Sequence, residues 1–214
     1  MHDPSLRPDL LLHTYRLGLF PMADPDQGNE VYWMDPDPRG IIPLDGFHIP
    51  KNLRKLVRRD PFEITADRDF EAVMRACAAP APGRESTWIS EEFIEVYSAL
   101  HRRGAAHTVE CWQEGQLVGG LYGVTIGGAF FGESMFSRVT DASKVALVGL
   151  VACLRRGGFT LLDTQFVTPH LEQFGAVPIP QAIYKQRLAA ALAVATDWEA
   201  GTAAFADPLA ELKP

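Results

Sequence analysis

One short run in this chain holds two residues that could do chemistry together, Leu161-Leu162-Asp163-Thr164-Gln165. Asp163 and Gln165 lie two apart, so on a strand alternation points both side chains to one face. A carboxylate beside a carboxamide can orient an amine or a hydroxyl through hydrogen bonds. Two polar side chains in a leucine-rich strand need partners if buried, and the competing reading is that they mark its exposed end. Glu133, in Phe130-Phe131-Gly132-Glu133-Ser134-Met135-Phe136, is an acid inside an otherwise apolar strand. It reads either as a carboxylate awaiting a cation in a pocket or as the ion-pair partner of Arg138 or Lys144. A third feature is the run from Lys51 to Arg59. Lys51, Arg54, Lys55, Arg58 and Arg59 form one helical stripe opposite Leu53, Leu56 and Val57, either a solvated face or a seat for phosphates.

Other chemistries find little support. Gly132-x-Ser134 is closed by Phe136 where a hydrolase elbow has glycine. The six histidines (His2, His13, His48, His101, His107 and His170) show neither H-x-x-x-H nor H-E-x-x-H spacing, so no metal site is expected. The three cysteines (Cys77, Cys111, Cys153) are far apart, which argues against a disulfide scaffold and for a reducing cytoplasm. Charge disfavours bulk DNA binding: 20 Lys and Arg stand against 27 Asp and Glu, a formal −7 over 214 residues. The start of the chain lacks the pattern of a signal peptide, and the longest apolar run, Val145 to Leu154, is too short to span a bilayer.

The elements that must hold these residues follow from periodicity. Helices are expected from Pro8 to Leu17, from Lys51 to Arg59, around Phe70, Val73, Met74 and Cys77, and from Ser90 to Gly104. Phe20 to Pro38 reads as a structured loop packing Phe20, Tyr32 and Trp33 onto the body. Phe62 to Thr65 reads as a strand. Ala106 to Trp112, Gln116 to Ile126 and Ala129 to Met135 form an antiparallel meander with turns at Glu114-Gly115 and Gly127-Gly128. A helix from Asp141 to Arg156, a strand from Phe159 to Gln165 and a helix from Gln181 to Ala195 follow. The expected class is α/β, of the α+β kind, with a mainly antiparallel sheet and a boundary near Arg39 dividing a lobe over 1–39 from a domain over 40–214.

Taken in order, the motifs carry a resemblance. They are Tyr15-Arg-Leu-Gly-Leu-Phe-Pro-Met22, Trp33-Met-Asp-Pro-Asp-Pro-Arg39, Phe47-His-Ile49 with the basic helix after it, and Thr87-Trp-Ile89. Then come His107-Thr-Val-Glu110, Leu117-Val-Gly-Gly-Leu-Tyr-Gly-Val124, Gly132-Glu-Ser-Met-Phe-Ser-Arg138, Ala142-Ser-Lys144 and Asp163-Thr-Gln165. With this ordered set, from about Tyr15 to Pro180, the chain resembles the leucyl/phenylalanyl-tRNA–protein transferases of bacteria.

The resemblance implies a small N-terminal lobe on a GNAT-type acyltransferase domain. It implies transfer of Leu or Phe, less readily Met, from aminoacyl-tRNA to proteins with N-terminal Arg or Lys, creating a degradation signal. Cytoplasmic work is implied, with no cofactor, metal, membrane or DNA partner. Carried over, the reactive pair falls on Asp163 and Gln165, and the acceptor-peptide carboxylate on Glu133. The aminoacyl-adenosine pocket falls on Met22, Trp88, Leu121, Phe130, Leu150 and Leu162, and the tRNA contacts on Lys51, Arg54, Lys55, Arg58 and Arg59. Met22 stands where some relatives carry Trp, and Thr164 replaces a Cys and is expected to point away harmlessly. Simple alternation groups Glu133 with Phe131 although the resemblance puts Phe130 in the pocket, a conflict that only a bulge near Gly132 would remove.

The chemistry is plausible on elementary grounds. An aminoacyl ester is already activated, and an α-amino group with a pKa of about 7.7–8.0 is partly neutral near pH 7. Positioning then does most of the work, while an apolar pocket rewards a long side chain by roughly 25 cal/mol per Å² buried. An acetyl-CoA-dependent N-acetyltransferase is the rival, weakened because Ser137 to Lys144 has no glycine for a phosphate loop. A catalytically dead tRNA- or degron-binding module is the second rival.

Overall fold

The computed structural model describes residues 6–24, 30–80 and 87–212. The chain begins with helix α1 (Pro8–Arg16), which opens on a proline and ends before Gly18, where φ is +82°. Strands β1 (Phe20–Asp24) and β2 (Glu30–Met34) then pair antiparallel as a separate two-stranded sheet. The expected loop over 20–38 is thus a hairpin in its described part. Pro, Asp and Gly mask the alternation there, and cross-strand pairing overrides them. Phe20 is buried and Trp33 packs on the core, whereas Tyr32 is exposed.

Among the described residues the main sheet has seven strands in the order β4-β5-β6-β7-β8-β3-β9. They are β3 (Arg39–Ile42), β4 (Glu63–Ala66), β5 (Ala106–Gln113), β6 (Gln116–Ile126), β7 (Ala129–Ser137), β8 (Leu161–Gln165) and β9 (Val177–Ile179). Neighbours run antiparallel except β7 and β8, which are parallel. The mainly antiparallel α/β class is therefore observed. β3 and β9 were not legible, being short and lacking alternation.

Helices cover both faces. On one lie α1, α3 (Phe70–Ala78), α4 (Glu91–Arg102) and α7 (Gln181–Leu192); on the other lie α2 (Lys51–Arg58), α5 (Ala142–Arg156), α8 (Trp198–Thr202) and α9 (Pro208–Glu211). A short α6 (Pro169–Glu172) follows β8. Strand alternation feeds both cores: Tyr122, Phe131 and Leu161 face the first, and Leu121, Phe130 and Leu162 face the second. Caps match the helix starts, with Asp69 accepting from Ala72 N and Ser90 from Phe93 N. α5 is buried along almost its whole length, as its apolar run demands. It approaches β6 so closely that a Cβ at Gly119 would lie 2.5 Å from that of Ala142. Among the described residues no helix is long and apolar enough to cross a membrane.

Candidate active site

β7 and β8 pair only from Ala129 to Phe131 and from Leu161 to Asp163. Beyond that point each strand keeps its other neighbour, and each carries one bulge. On β7, Ser134 opposes Tyr122 and Gly132 opposes Gly123, leaving Glu133 as the extra residue. On β8, Gln165 opposes Gly40 and Asp163 opposes Ile41, leaving Thr164 unpaired. Gly40 is required here, since a Cβ would sit 2.6 Å from the Phe166 backbone. The bulge falls at Glu133, whose carboxylate still meets Tyr15 and Tyr97 on the Phe131 side, as simple alternation groups it, while Phe130 packs in the opposite core.

Asp163 is fully buried and receives four hydrogen bonds. Arg39 supplies Nε at 2.9 Å and Nη2 at 2.6 Å, Tyr184 its hydroxyl at 2.6 Å, and Gln165 its backbone N–H at 2.8 Å. Arg39, itself fully buried, spends its remaining fork on the Gly18 carbonyl at 2.9 Å and lies between the Phe20 and Tyr184 rings, 4.6 Å from each centroid. Burial pulls the Arg39 pKa down, but the bonds and charge of Asp163 outweigh it and the net shift is upward. Burial and the Asp163 charge raise the Tyr184 hydroxyl, so it serves as a donor.

Gln165 adopts φ +64°, and its Nε2 donates to Glu133 Oε1 at 3.0 Å. Glu133 also receives Tyr15 Oη at 2.7 Å and Tyr97 Oη at 3.3 Å, and the two tyrosine hydroxyls are 2.5 Å apart. Burial pushes the Glu133 carboxyl up to about 7, helped by Asp163, although the Tyr15, Tyr97 and Gln165 bonds oppose the rise. Neither expected ion-pair partner reaches it: Arg138 donates to the Leu117 carbonyl and Lys144 pairs with Asp141.

On the α5 side of the gap lies an apolar cleft of about 130 Å³. Leu121, Leu147, Leu150, Leu162, Leu171 and Met135 line it, with Glu133 and Thr164. The space is of the size of a branched or aromatic side chain, and Glu133, which receives Gln165 Nε2, is part of its wall. Thr164 therefore points away from Asp163, as expected, but into the wall of this cleft.

Sequence comparison decides what kind of protein carries this arrangement. Residues 41–189 match the family described as leucyl/phenylalanyl-tRNA protein transferase, and residues 5–37 match the family's N-terminal domain. The chain belongs to the leucyl/phenylalanyl-tRNA–protein transferase family. It is 59% identical to the transferase of that name from Paramagnetospirillum magneticum, over 88% of this chain and 90% of the relative. It is also 59% identical to that of Salinibacter ruber, over 91% and 84%, and 58% identical to that of Maricaulis maris, over 89% and 88%. A solved structure of L-PGS from Bacillus licheniformis aligns with a TM-score of 0.42 at 16% identity, over 75% of this chain and 60% of that one. As a member of the leucyl/phenylalanyl-tRNA–protein transferase family the chain is an aminoacyltransferase, and an acetyl-CoA-dependent enzyme is not favoured.

The residues singled out in this transferase from sequence divide into groups. Asp163, Gln165 and Glu133 form one connected network. Leu121, Leu150 and Leu162 line the cleft. Phe130 is buried beside it, stacked on Trp198 at 5.9 Å. Met22 and Trp88 pack against the core of the opposite sheet face, with Trp88 edge-on to Phe93 at 5.2 Å. On α2, Lys51, Lys55, Arg58 and Arg59 are exposed and Arg54 is half-buried, with none of the five in an ion pair among the described residues. A chain of contacts ties this helix to the cleft. His48, just before α2, donates its N–H to the Phe174 carbonyl at 3.0 Å. Phe174 meets the His170 ring at 5.7 Å, and Leu171 lines the cleft.

Sequence reasoning missed Arg39, Tyr15, Tyr97 and Tyr184. Tyr15 and Arg39 stood at the ends of motif blocks. A lone arginine directly before Gly40-Ile41-Ile42 was the available signal, since such a residue entering a strand needs a buried anion.

Proposed function

We propose that this chain transfers Leu or Phe, and less readily Met, from aminoacyl-tRNA to the α-amino group of proteins beginning with Arg or Lys, marking them for degradation. The observation that carries this reading is the parting of β7 and β8, which sets a leucine-lined cleft against the Glu133–Gln165 bridge. The aminoacyl side chain enters the cleft. Its ester carbonyl lies at the gap, where the acceptor nitrogen forms the new N–C bond. The bond to the tRNA ribose oxygen breaks, and the proton lost by the amine ends on that oxygen.

In this reading Asp163 takes no proton, because four donors already engage it. It holds the Gln165 backbone. Gln165 commits Nε2 to Glu133, which leaves Oε1 to accept an amine N–H and aim its lone pair at the ester. Glu133 offers a carboxylate to a cationic acceptor residue. The stripe from Lys51 to Arg59 takes tRNA phosphates and leads to the cleft through the 169–174 segment. Met22, Trp88 and Phe130 belong to the walls around the aminoacyl-adenosine end. A GNAT-type architecture for 40–214, a separate small lobe over 1–39 and work in the cytoplasm complete the reading.

The test is incubation of purified protein with radiolabelled Leu-tRNA and peptides beginning with Arg, Lys or Ala, with acetyl-CoA as control donor. Label on the Arg and Lys peptides alone, and no acetylation, is the expected result. Label on none of them would refute the assignment.

A further inference from the structure

Thr164 is the unpaired bulge residue of β8 and lines the cleft, yet its Oγ1 is buried without a hydrogen-bond partner. The leucines around it offer neither donor nor acceptor, the Ser134 and Tyr122 hydroxyls that also line the cleft make no bond to it, and the Glu133 carboxylate beyond it bonds Tyr15, Tyr97 and Gln165 instead. A buried hydroxyl with nothing to bond is penalised, and a ligand that brings an acceptor relieves the penalty. Rotation about one bond exchanges the Thr164 methyl and hydroxyl, so the wall can present either surface.

We propose that Thr164 is a donor-specificity residue that raises the acceptance of an aminoacyl side chain with an accepting atom, such as the methionine thioether, relative to the plain hydrocarbon of leucine, which stays the better donor. This rests on the reading of the cleft as the aminoacyl pocket. Leucine faces the methyl and leaves the hydroxyl unmet. Methionine is unbranched, fits the same volume and places a sulfur within its reach. Because a thioether accepts weakly, the discrimination is modest, roughly 3- to 10-fold.

The experiment compares wild type, Thr164→Val and Thr164→Ser with Leu-, Phe- and Met-tRNA and one Arg-starting peptide. The readout is the Met-to-Leu ratio of kcat/KM. Valine keeps the shape and removes the hydroxyl, so the ratio should fall roughly 3- to 10-fold. Serine should hold the ratio near wild type, and the Phe-to-Leu ratio should stay level in all three. Affinities for 3′-amide-linked methionyl- and leucyl-adenosine, measured by calorimetry, should shift in the same ratio, so a variant with poor turnover still gives an answer. An unchanged ratio in Thr164→Val would overturn the role of Thr164 while leaving transferase activity standing. A wild-type protein that transfers nothing and binds neither analogue would overturn the aminoacyl-pocket reading, and Thr164's role with it.

Discussion

The backbone N–H of Gln165 donates to Asp163 Oδ1 at 2.8 Å while Gln165 sits at φ +64°. A non-glycine residue in the left-handed region is strained by about 1–3 kcal/mol and persists only where its surroundings hold it. Here the holder is a buried carboxylate fixed by Arg39 and Tyr184. The twist turns the Gln165 side chain toward Glu133 and defines a carboxamide oxygen at the gap between β7 and β8.

Breaking the Arg39–Asp163 pair is expected to destabilise the protein. Asp163→Asn leaves the Arg39 guanidinium buried without its counter-charge, at a cost of about 3–5 kcal/mol. Arg39→Lys loses the two-pronged fork and the bond to the Gly18 carbonyl. Urea unfolding of both single variants and the double variant should show the double losing much less than the sum. Additive losses would mean the two residues act independently.

Gln165→Ala should separate rate from stability. The carboxamide is lost, but the backbone bond to Asp163 remains. Transfer should drop by about 100-fold in kcat, with unfolding free energy changed by less than about 1 kcal/mol. Steady-state kinetics with saturating Leu-tRNA would reveal it, and a normal kcat would remove Gln165 from the reaction.

Glu133 should impose a pH dependence. Its folded pKa is about 7, above the ordinary 4.5, so the folded state holds the extra proton between those values. This contribution to stability is full below the unfolded pKa and is lost as pH rises through about 7. Glu133→Gln cannot titrate, so its melting temperature relative to wild type should improve as pH climbs from about 5 to 8. In the same window the wild-type KM for an Arg-starting peptide should fall as the carboxylate forms, and the variant should show a flat profile. A parallel decline in both proteins would assign the titration elsewhere.

Charge reversal at Arg54 and Arg58 should weaken tRNA affinity without changing turnover at saturation. Each lost phosphate contact lowers the slope of log K against log salt by about 0.7–0.9. Filter binding from low to moderate salt would report it, and an unaltered slope would return α2 to a solvated surface.

Much of this protein could be read from one dimension. Helix faces such as Phe70, Val73, Met74 and Cys77, the Ser90 cap and the meander expected over 106–135 are local patterns, and each formed where its periodicity placed it, the last strand running on to Ser137. The hairpin over 20–34 was masked because Pro21 and Asp24 break the alternation that announces a strand. β3 is four buried residues with no polar face to mark it.

Residue types and their spacing along the chain raised Asp163, Gln165, Glu133 and the basic helix as candidates, with alternatives that the ordered motifs then narrowed, because side-chain chemistry and helical or strand period are local properties. Which partners each of these groups meets was decided only in three dimensions. Tyr15, Arg39, Tyr97 and Tyr184 come from four separate elements, and their hydrogen bonds to Asp163 and Glu133 cross 21 to 124 positions of sequence. Desolvation and saturation of a carboxylate depend on what surrounds it in space, and periodicity carries no record of the bulges at Glu133 and Thr164, where β7 and β8 part.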